Sequence, residues 1–201
     1  MADLSERPRR QQLFDLLSTK DSDYLYCVVR DWNWSNGTWL LRWIASQAAC
    51  TRGTAQRIFW DCQPETFLPV AGAQVPFGSP EFDLAALVLE NWKAGAYPAD
   101  RQSLSDRLRS LVSGGQGGFR GDDGTWYRAG QIGYFDPANP VPQMEAYRAA
   151  EARCDPSQLP WTLPDDLGRV QRVRRPSYTG FDLVEGVPEE FVDLLDEDEP
   201  A

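Results

Sequence analysis

The chain has 201 residues, of which 42% are hydrophobic and 12% aromatic, and this is enough for one domain with a substantial core. Its 20 basic and 30 acidic residues give a net charge of −10, which disfavours non-specific binding to nucleic acid. Histidine is absent, so Ser-His-Asp catalysis, Cys-His catalysis and zinc sites that need imidazole are excluded.

The first half of the chain is predicted to consist of helices. Apolar residues recur at spacings of three and four, and capping or stop residues separate the repeats. Asn36 and Gly37 form a strong turn signal, which we assign to a turn between helices, and the side chains of Asp31 and Asn33 are expected to hold this turn by local hydrogen bonds. The predicted helices span residues 9–18, 22–31, 38–48, 52–62, 80–94 and 103–112, with Asp21 or Ser22, Thr51, Ser79 and Ser103 as N-caps and Gly95 as a stop.

The composition changes after residue 113. Residues 114–124 are rich in glycine, which predicts a flexible loop. A phosphate-binding loop would need Lys and Ser/Thr after its last glycine, but Phe119 and Arg120 follow Gly118. The pattern beyond predicts extended stretches at 125–129 and 131–135, a helix at 142–154, an irregular proline-spaced segment at 155–181 and a last helix over Pro188–Leu195.

These patterns predict a mainly α fold: a compact helical domain of stacked helix pairs with an irregular, partly extended C-terminal third. We predict a helical domain over residues 1–113 and a C-terminal extension packed on it over 114–201. The N-terminal residues resemble no secretory signal, and no run approaches 18 apolar residues. The four cysteines form no C-x-x-C pair. We therefore predict a cytoplasmic protein with reduced cysteines, no metal, no cofactor and no membrane span.

Five tryptophans lie within 29 residues, and they admit three interpretations. The first is a tryptophan-rich core. The second is a protein-contact surface, because tryptophan is favoured at the centre of interfaces. The third is a stacking surface for single-stranded nucleic acid, which the near-neutral body of the chain disfavours. The five are Trp32, Trp34, Trp39, Trp43 and Trp60.

The negative charge is concentrated at the C-terminal end of the sequence. Residues 182–201 contain nine acidic residues and no basic one, whereas the other 181 residues carry 21 acidic and 20 basic ones. This segment is either a solvated, solubilising tail or a surface that attracts a basic partner, with Phe191, Leu194 and Leu195 as apolar anchors. The residues that we predict to contact a partner are Glu189, Glu190, Phe191, Asp193, Asp196, Glu197 and the loop acids Asp122 and Asp123.

Adjacent carboxylates are the remaining candidates for chemistry. Asp122-Asp123 and Asp165-Asp166 would support acid/base catalysis only if an apolar pocket separated their pKa values. Solvated loop acids are the alternative interpretation, and the sequence favours it.

Residues 31–60 carry an ordered set of motifs. They read Asp31-Trp32-Asn33-Trp34-x-Asn36-Gly37, then Leu41-x-x-Ile44, then Cys50-x-x-Gly53-Thr54-Ala55-x-x-Ile58-Phe59-Trp60. The set resembles the bacterial domain-of-unknown-function family 4274, and the resemblance extends over about residues 22–95. It implies a small helical domain and a bacterial setting in which immunity proteins of polymorphic toxin systems occur, and it brings no catalytic residues.

Three functions remain open at this stage. We expect a non-enzymatic protein-binding protein, specifically an immunity protein that neutralises a cognate, basic toxin by direct binding. The first alternative is a chaperone-like adaptor for a secreted effector. The second is a carboxylate-dependent enzyme, which would need a cleft that gathers the acidic side chains.

Overall fold

Helices dominate the part of the chain that the computed structural model describes, namely residues 8–69, 78–99, 118–120, 126–128, 142–168 and 183–196. The α-helices in these ranges are α1 (Arg9–Ser18), α2 (Ser22–Asp31), α3 (Trp39–Ala45), α4 (Arg52–Asp61), α5 (Pro80–Lys93) and α6 (Pro142–Glu151). The strands are β1 (Gly118–Arg120), β2 (Trp126–Arg128), β3 (Leu183–Val184) and β4 (Val187–Pro188). The 3₁₀ helices span Trp34–Asn36, Pro64–Phe67, Pro156–Gln158, Asp165–Gly168 and Glu189–Asp196.

The chain divides into two compact units, each assembled from segments that are distant in sequence. The first unit comprises Met1–Gly37, Gln102–Gly133 and Arg175–Ala201, and the second comprises Thr38–Arg101 and Tyr134–Arg174. The predicted division into residues 1–113 and 114–201 stays a prediction.

The first unit contains α1, α2 and the C-terminal elements. Leu13 and Leu17, one helical turn apart on α1, are both buried, and α1 packs against the 3₁₀ helix Glu189–Asp196. Helix α2 is strongly amphipathic and packs against β3. Strand β3 pairs with β4 in an antiparallel hairpin in which Val184 lies opposite Val187. The other strand pair, β1 with β2, is also antiparallel and places Phe119 opposite Tyr127.

The second unit has a core formed by α3, α4 and α5. Helix α4 packs along α5, and α3 contacts both of them. The buried positions of α4 and α5 follow the spacing of three and four that one helix face requires. The buried residues are Leu40, Leu41, Ile44 and Ala45 on α3, Thr54, Ala55, Ile58, Phe59 and Trp60 on α4, and Leu84, Ala85, Val88, Leu89 and Trp92 on α5.

The mainly helical fold class with an irregular C-terminal part is confirmed. Asp21 and Ser79 cap α2 and α5 as predicted, because each side chain accepts a hydrogen bond from the third residue after it, Tyr24 and Phe82. Gly95 follows α5 at a φ of 70°, which fits its predicted role as a helix stop. The predicted elements at 103–112 and 131–135 lie outside the described residues.

Two local predictions are corrected by the structure, and a third is confirmed in part. Thr51 occupies the predicted N-cap position of α4, but its side chain makes no capping hydrogen bond and its hydroxyl pairs with that of Thr54 at 3.3 Å. Residues 118–120, predicted as part of a flexible loop, form β1 because they pair with β2. The predicted last helix over Pro188–Leu195 is a 3₁₀ helix that starts at Glu189, since Pro188 is taken up by the hairpin pairing of β4.

The spacing of the apolar residues is compatible with the 3₁₀ geometry at the C-terminal end. Phe191 and Leu194 are three residues apart and are 5% and 0% exposed. A 3₁₀ helix has three residues per turn, so it aligns these two side chains on one face.

The turn between β3 and β4 yields a stability prediction. Gly186 has a φ of 91°, and a Cβ added there would lie 2.8 Å from the Val28 carbonyl oxygen and 2.9 Å from Trp32 Cα. Gly95 has a comparable φ of 70°, but a Cβ there would meet nothing within 4 Å. We expect Gly95→Ala to cost about 1 kcal/mol from the positive φ alone, and Gly186→Ala to cost about 3 kcal/mol because it adds a backbone collision. Urea denaturation of the two variants checks this, and equal losses would contradict the predicted collision.

Candidate partner-binding site

The 3₁₀ helix Glu189–Asp196, which we call the acidic helix, lies in the first unit with its apolar residues inward. Phe191 and Leu194 are buried, whereas Glu189, Glu190 and Asp193 are exposed. The acidic side chains therefore belong to an ordered element that is anchored to the core. The two buried side chains contribute to this anchoring and are covered by the chain itself.

Arg9 of α1 binds the acidic helix through three kinds of contact. Its guanidinium donates hydrogen bonds to both carboxylate oxygens of Asp193, at 3.0 and 3.2 Å, and to the backbone carbonyl of Glu190. It also lies over the Phe191 ring, 4.7 Å from the ring centroid. The bond from Arg9 lowers the pKa of Asp193 below its ordinary value. One arginine thus fixes the position of the acidic helix on α1.

A second polar contact holds the hairpin that precedes the acidic helix. The side-chain amides of Asn33 and Asn36 both donate to Glu185 Oε2, at 3.1 and 2.9 Å. These bonds, first from Asn36 and then from Asn33, lower the pKa of the exposed Glu185 carboxyl. Asn33 also accepts a hydrogen bond from the Ser35 amide at 3.1 Å, as the sequence predicted for the turn. Asp31 does not share that role, since it pairs with Arg30 at 2.6 Å.

Asp165 and Asp166 each form a salt bridge with an arginine, and Asp166 also accepts a hydrogen bond from a tryptophan indole. Asp166 accepts from Arg52 Nη1 at 3.1 Å and from Trp92 Nε1 at 3.0 Å, while the Arg52 guanidinium lies 4.8 Å from a Trp92 ring centroid. Asp165 is exposed and lies 3.3 Å from Arg148 Nη2. These contacts attach the 3₁₀ helix Asp165–Gly168 to α4, α5 and α6. The two adjacent carboxylates therefore have different partners and point to a structural use.

The remaining predicted contact residues lie outside what the structure describes. Asp122, Asp123 and Glu197 fall outside the described ranges. Asp196 is described only as the last backbone position of the acidic helix. The described part of the candidate site is therefore Glu189, Glu190 and Asp193, with Phe191 buried beneath them.

The tryptophan cluster divides by burial. Trp32 and Trp60 are 4% and 3% exposed and belong to the core, whereas Trp34, Trp39 and Trp43 are half-buried. Trp60 Nε1 donates to the Leu167 carbonyl at 3.1 Å, and Trp32 Nε1 donates to the Gly37 carbonyl at 3.0 Å. The core interpretation therefore holds for two of the five rings.

An aromatic cluster in the second unit surrounds Trp161. Its ring stacks on Phe82 with centroids 5.0 Å apart and an interplanar angle of 24°. Phe67 meets both rings edge-on, at 5.4 Å from Phe82 and 6.0 Å from Trp161. Tyr147 lies edge-on to Trp60, and burial raises the pKa of its hydroxyl to about 12. The cluster is part of the hydrophobic core.

The four cysteines are in the reduced thiol form, and Cys27, Cys50 and Cys62 are buried. Burial raises the pKa of the Cys62 thiol, so this group is protonated at neutral pH. Among the described residues, no three Cys, Asp or Glu side chains converge in a way that would hold a metal ion. No helix in the described ranges is both long enough and apolar enough to cross a membrane.

Four residues position the candidate site, namely Arg9, Asn33, Asn36 and Glu185. Of their contacts, only that of Asn33 in its own turn followed from the sequence. Arg9 lies 184 residues before Asp193, so no local pattern links the two. Glu185 and Gly186, between two valines, differ from the Asn-Gly and Asp-Gly signals of a two-residue hairpin in the first residue, so the hairpin did not follow from the sequence. The asparagines that bind it are also distant in sequence and gave no local signal.

Comparison with known proteins finds one family model that is similar to part of the chain. The family described as "Domain of unknown function (DUF4274)" matches residues 20–76, so the predicted resemblance is confirmed over α2, α3 and α4, in a narrower range than 22–95. No curated protein and no solved structure shows a significant match to the chain. The part of the chain that this family model matches thus includes Asn33 and Asn36 but not Glu185 or the acidic helix.

The two lowered carboxyl pKa values predict how stability depends on pH. A carboxyl whose folded pKa is lowered stabilises the fold above its unfolded pKa and ceases to do so as the pH falls through its folded pKa. We expect wild type to be more stable than Glu185→Gln/Asp193→Asn at pH 6.5, and we expect this difference to shrink as the pH falls through the lowered pKa values of the two carboxyls. Urea denaturation across this pH range measures the difference. A difference that stays constant with pH would show that neither carboxylate interaction stabilises the fold.

Proposed function

We propose that this chain is a non-enzymatic protein-binding protein, an immunity protein that neutralises a cognate bacterial toxin by direct contact. The carrying observation is the acidic helix: Phe191, Leu194 and Arg9 anchor it, while Glu189 and Glu190 stay exposed. An anchored acidic surface binds a basic partner at a smaller entropic cost than a free tail does. Charge of this kind accelerates encounter and selects the partner more than it adds affinity.

The burial of Phe191 changes the proposed interface. A tight complex needs an apolar centre as well as charge. The sequence offered Phe191 for this role, but that side chain is 5% exposed and packs within its own chain. In this proposal the acidic helix contributes electrostatic attraction, and the apolar centre of the interface is supplied elsewhere. Both proteins meet in the cytoplasm, where free thiols are stable.

The test starts from the tagged full chain in its native cell. Purification at low and high salt, followed by mass spectrometry, should give one stoichiometric, basic partner. That partner, produced alone in a second host, should stop growth, and co-production of this chain should restore it. A partner that is harmless alone, or whose toxicity persists on co-production, would contradict the immunity role and favour an adaptor.

A matched pair of variants tests the acidic helix. We expect Glu189→Gln/Glu190→Gln to slow association with the partner about fivefold and to flatten its salt dependence, because two exposed charges of the attracting surface are lost. The control Asp83→Asn/Glu90→Gln removes two exposed acidic charges from α5. Stopped-flow association rates measure both. Equal rates for the two variants would remove the acidic helix from the interface.

A further inference from the structure

Two polar atoms in the core of the second unit lack a hydrogen-bond partner among the described residues. They are the hydroxyl oxygen of Tyr147 and Nε1 of Trp161. Tyr147 is 0% exposed and Trp161 is 9% exposed, and neither of the two atoms reaches the surface. Buried polar groups in folded proteins are paired with protein atoms or with an ordered water, because an unpaired group loses its hydration without compensation. These two atoms therefore require a partner.

The other buried tryptophans and tyrosine in the described part of this unit all have protein partners. Trp60 and Trp92 donate through Nε1, the first to a carbonyl at 3.1 Å and the second to a carboxylate at 3.0 Å. Tyr97 donates its hydroxyl proton to a carbonyl at 3.0 Å. The core thus satisfies each of these side chains by a direct contact, and Tyr147 and Trp161 depart from that pattern.

The two unpartnered groups lie beside each other. Burial raises the pKa of Tyr147 to about 12, the Glu151 carboxylate adds to this rise, and the Trp161 indole opposes it. The effect of the indole requires its N–H to be close to the hydroxyl oxygen. The two atoms nevertheless do not meet in hydrogen-bonding geometry. They are therefore placed to share a third group.

Aromatic rings surround this pair and limit what the third group can be. Trp60 lies edge-on to Tyr147 with centroids 6.2 Å apart, while Trp161 stacks on Phe82 at 5.0 Å and lies 6.1 Å from Phe59. Rings offer little to replace the hydration of an ion, so a charged ligand would be costly here. An indole N–H is a donor only and cannot bind a metal cation. The group that fits is small and neutral and accepts hydrogen bonds.

Water has these properties, and a third polar side chain lies near the pair. A buried water in a protein makes about three hydrogen bonds. The Trp161 indole and the Tyr147 hydroxyl supply two of them. Glu151 lies one helical turn after Tyr147 on α6, and its carboxylate can accept a proton from the water. Arg148 Nη1 donates to Glu151 Oε2 at 2.9 Å, so this carboxylate is itself held in place.

We propose that Tyr147 and Trp161 form the binding site of one ordered internal water molecule, which accepts hydrogen bonds from both side chains and donates one to Glu151. The water joins α6 to the segment that contains Trp161 and completes the hydrogen bonding of the core. Without the Tyr147 hydroxyl too few partners remain, so the water is released. This proposal does not rest on the acidic helix or on the immunity role.

The first test counts the long-lived water molecules in the full chain. Oxygen-17 relaxation dispersion of the solvent detects water that exchanges more slowly than the protein tumbles, and it does not respond to exchanging hydroxyl protons. Tyr147→Phe should lose about one such water relative to wild type. The control Tyr97→Phe removes another buried hydroxyl, one that is bound to a carbonyl, and should lose none. Circular dichroism establishes that both variants are folded. No loss in Tyr147→Phe, or an equal loss in the control, would overturn the proposal.

The second test locates the water in the wild-type chain and needs no destabilised variant. In nuclear Overhauser spectra the indole proton of Trp161 should show a cross-peak to water with the sign of a long-lived contact. The indole proton of Trp32 is the control, because this residue is also buried but donates to the Gly37 carbonyl, and it should show no such cross-peak. A Trp161 indole proton without the cross-peak would show that it donates directly to Tyr147, and would overturn the proposal.

Discussion

The carbonyl of Leu167 accepts two side-chain hydrogen bonds from α4, and the arrangement of the second unit depends on them. Gln56 Nε2 donates at 2.7 Å and Trp60 Nε1 at 3.1 Å, both to an acceptor on a fully buried residue. A buried backbone carbonyl without a partner would cost about 1–3 kcal/mol. The segment that contains Leu167 has no strand partner to hold it by backbone hydrogen bonds. The two side-chain donors therefore determine where this segment lies.

The same constraint recurs at the end of α3. The last carbonyls of a helix lack hydrogen-bond partners within that helix. Here the carbonyl of Ala45 accepts hydrogen bonds from the Tyr97 hydroxyl at 3.0 Å and from the Asn91 side-chain amide at 3.3 Å. Burial raises the pKa of Tyr97, so its hydroxyl keeps the proton that it donates. In the first unit, Arg9 holds the acidic helix in the same way, by donating hydrogen bonds to it, and Asn33 and Asn36 hold the hairpin. Polar side chains of helices thus fix the non-helical segments in each unit.

The contrast between the helices and the non-helical segments that their side chains hold explains which parts of the fold could be predicted from the sequence. Helices α1, α2, α4 and α5 follow from apolar spacing and from caps such as Asp21 and Ser79, because these signals lie within a few residues of one another. The attachments of the C-terminal segments depend on pairs such as Arg9 with Asp193, which are 184 positions apart. No periodicity records such a pair. The sequence therefore shows the acidic segment by its composition, while the burial of Phe191 required the fold.

The fold also separates acidic residues that look alike in the sequence. Asp193 accepts hydrogen bonds from Arg9, and Glu185 accepts them from two asparagines. Asp166 accepts hydrogen bonds from Arg52 and Trp92. Each of these carboxylates therefore attaches one segment of the chain to another. Glu189 and Glu190 lie between two of these attachments and are exposed. Neutral amides bind Glu185, whereas a cation binds Asp193. The hairpin and the acidic helix are consequently adjacent in sequence but held by different chemistry, so salt weakens the Arg9–Asp193 ion pair more than the contacts of the asparagines.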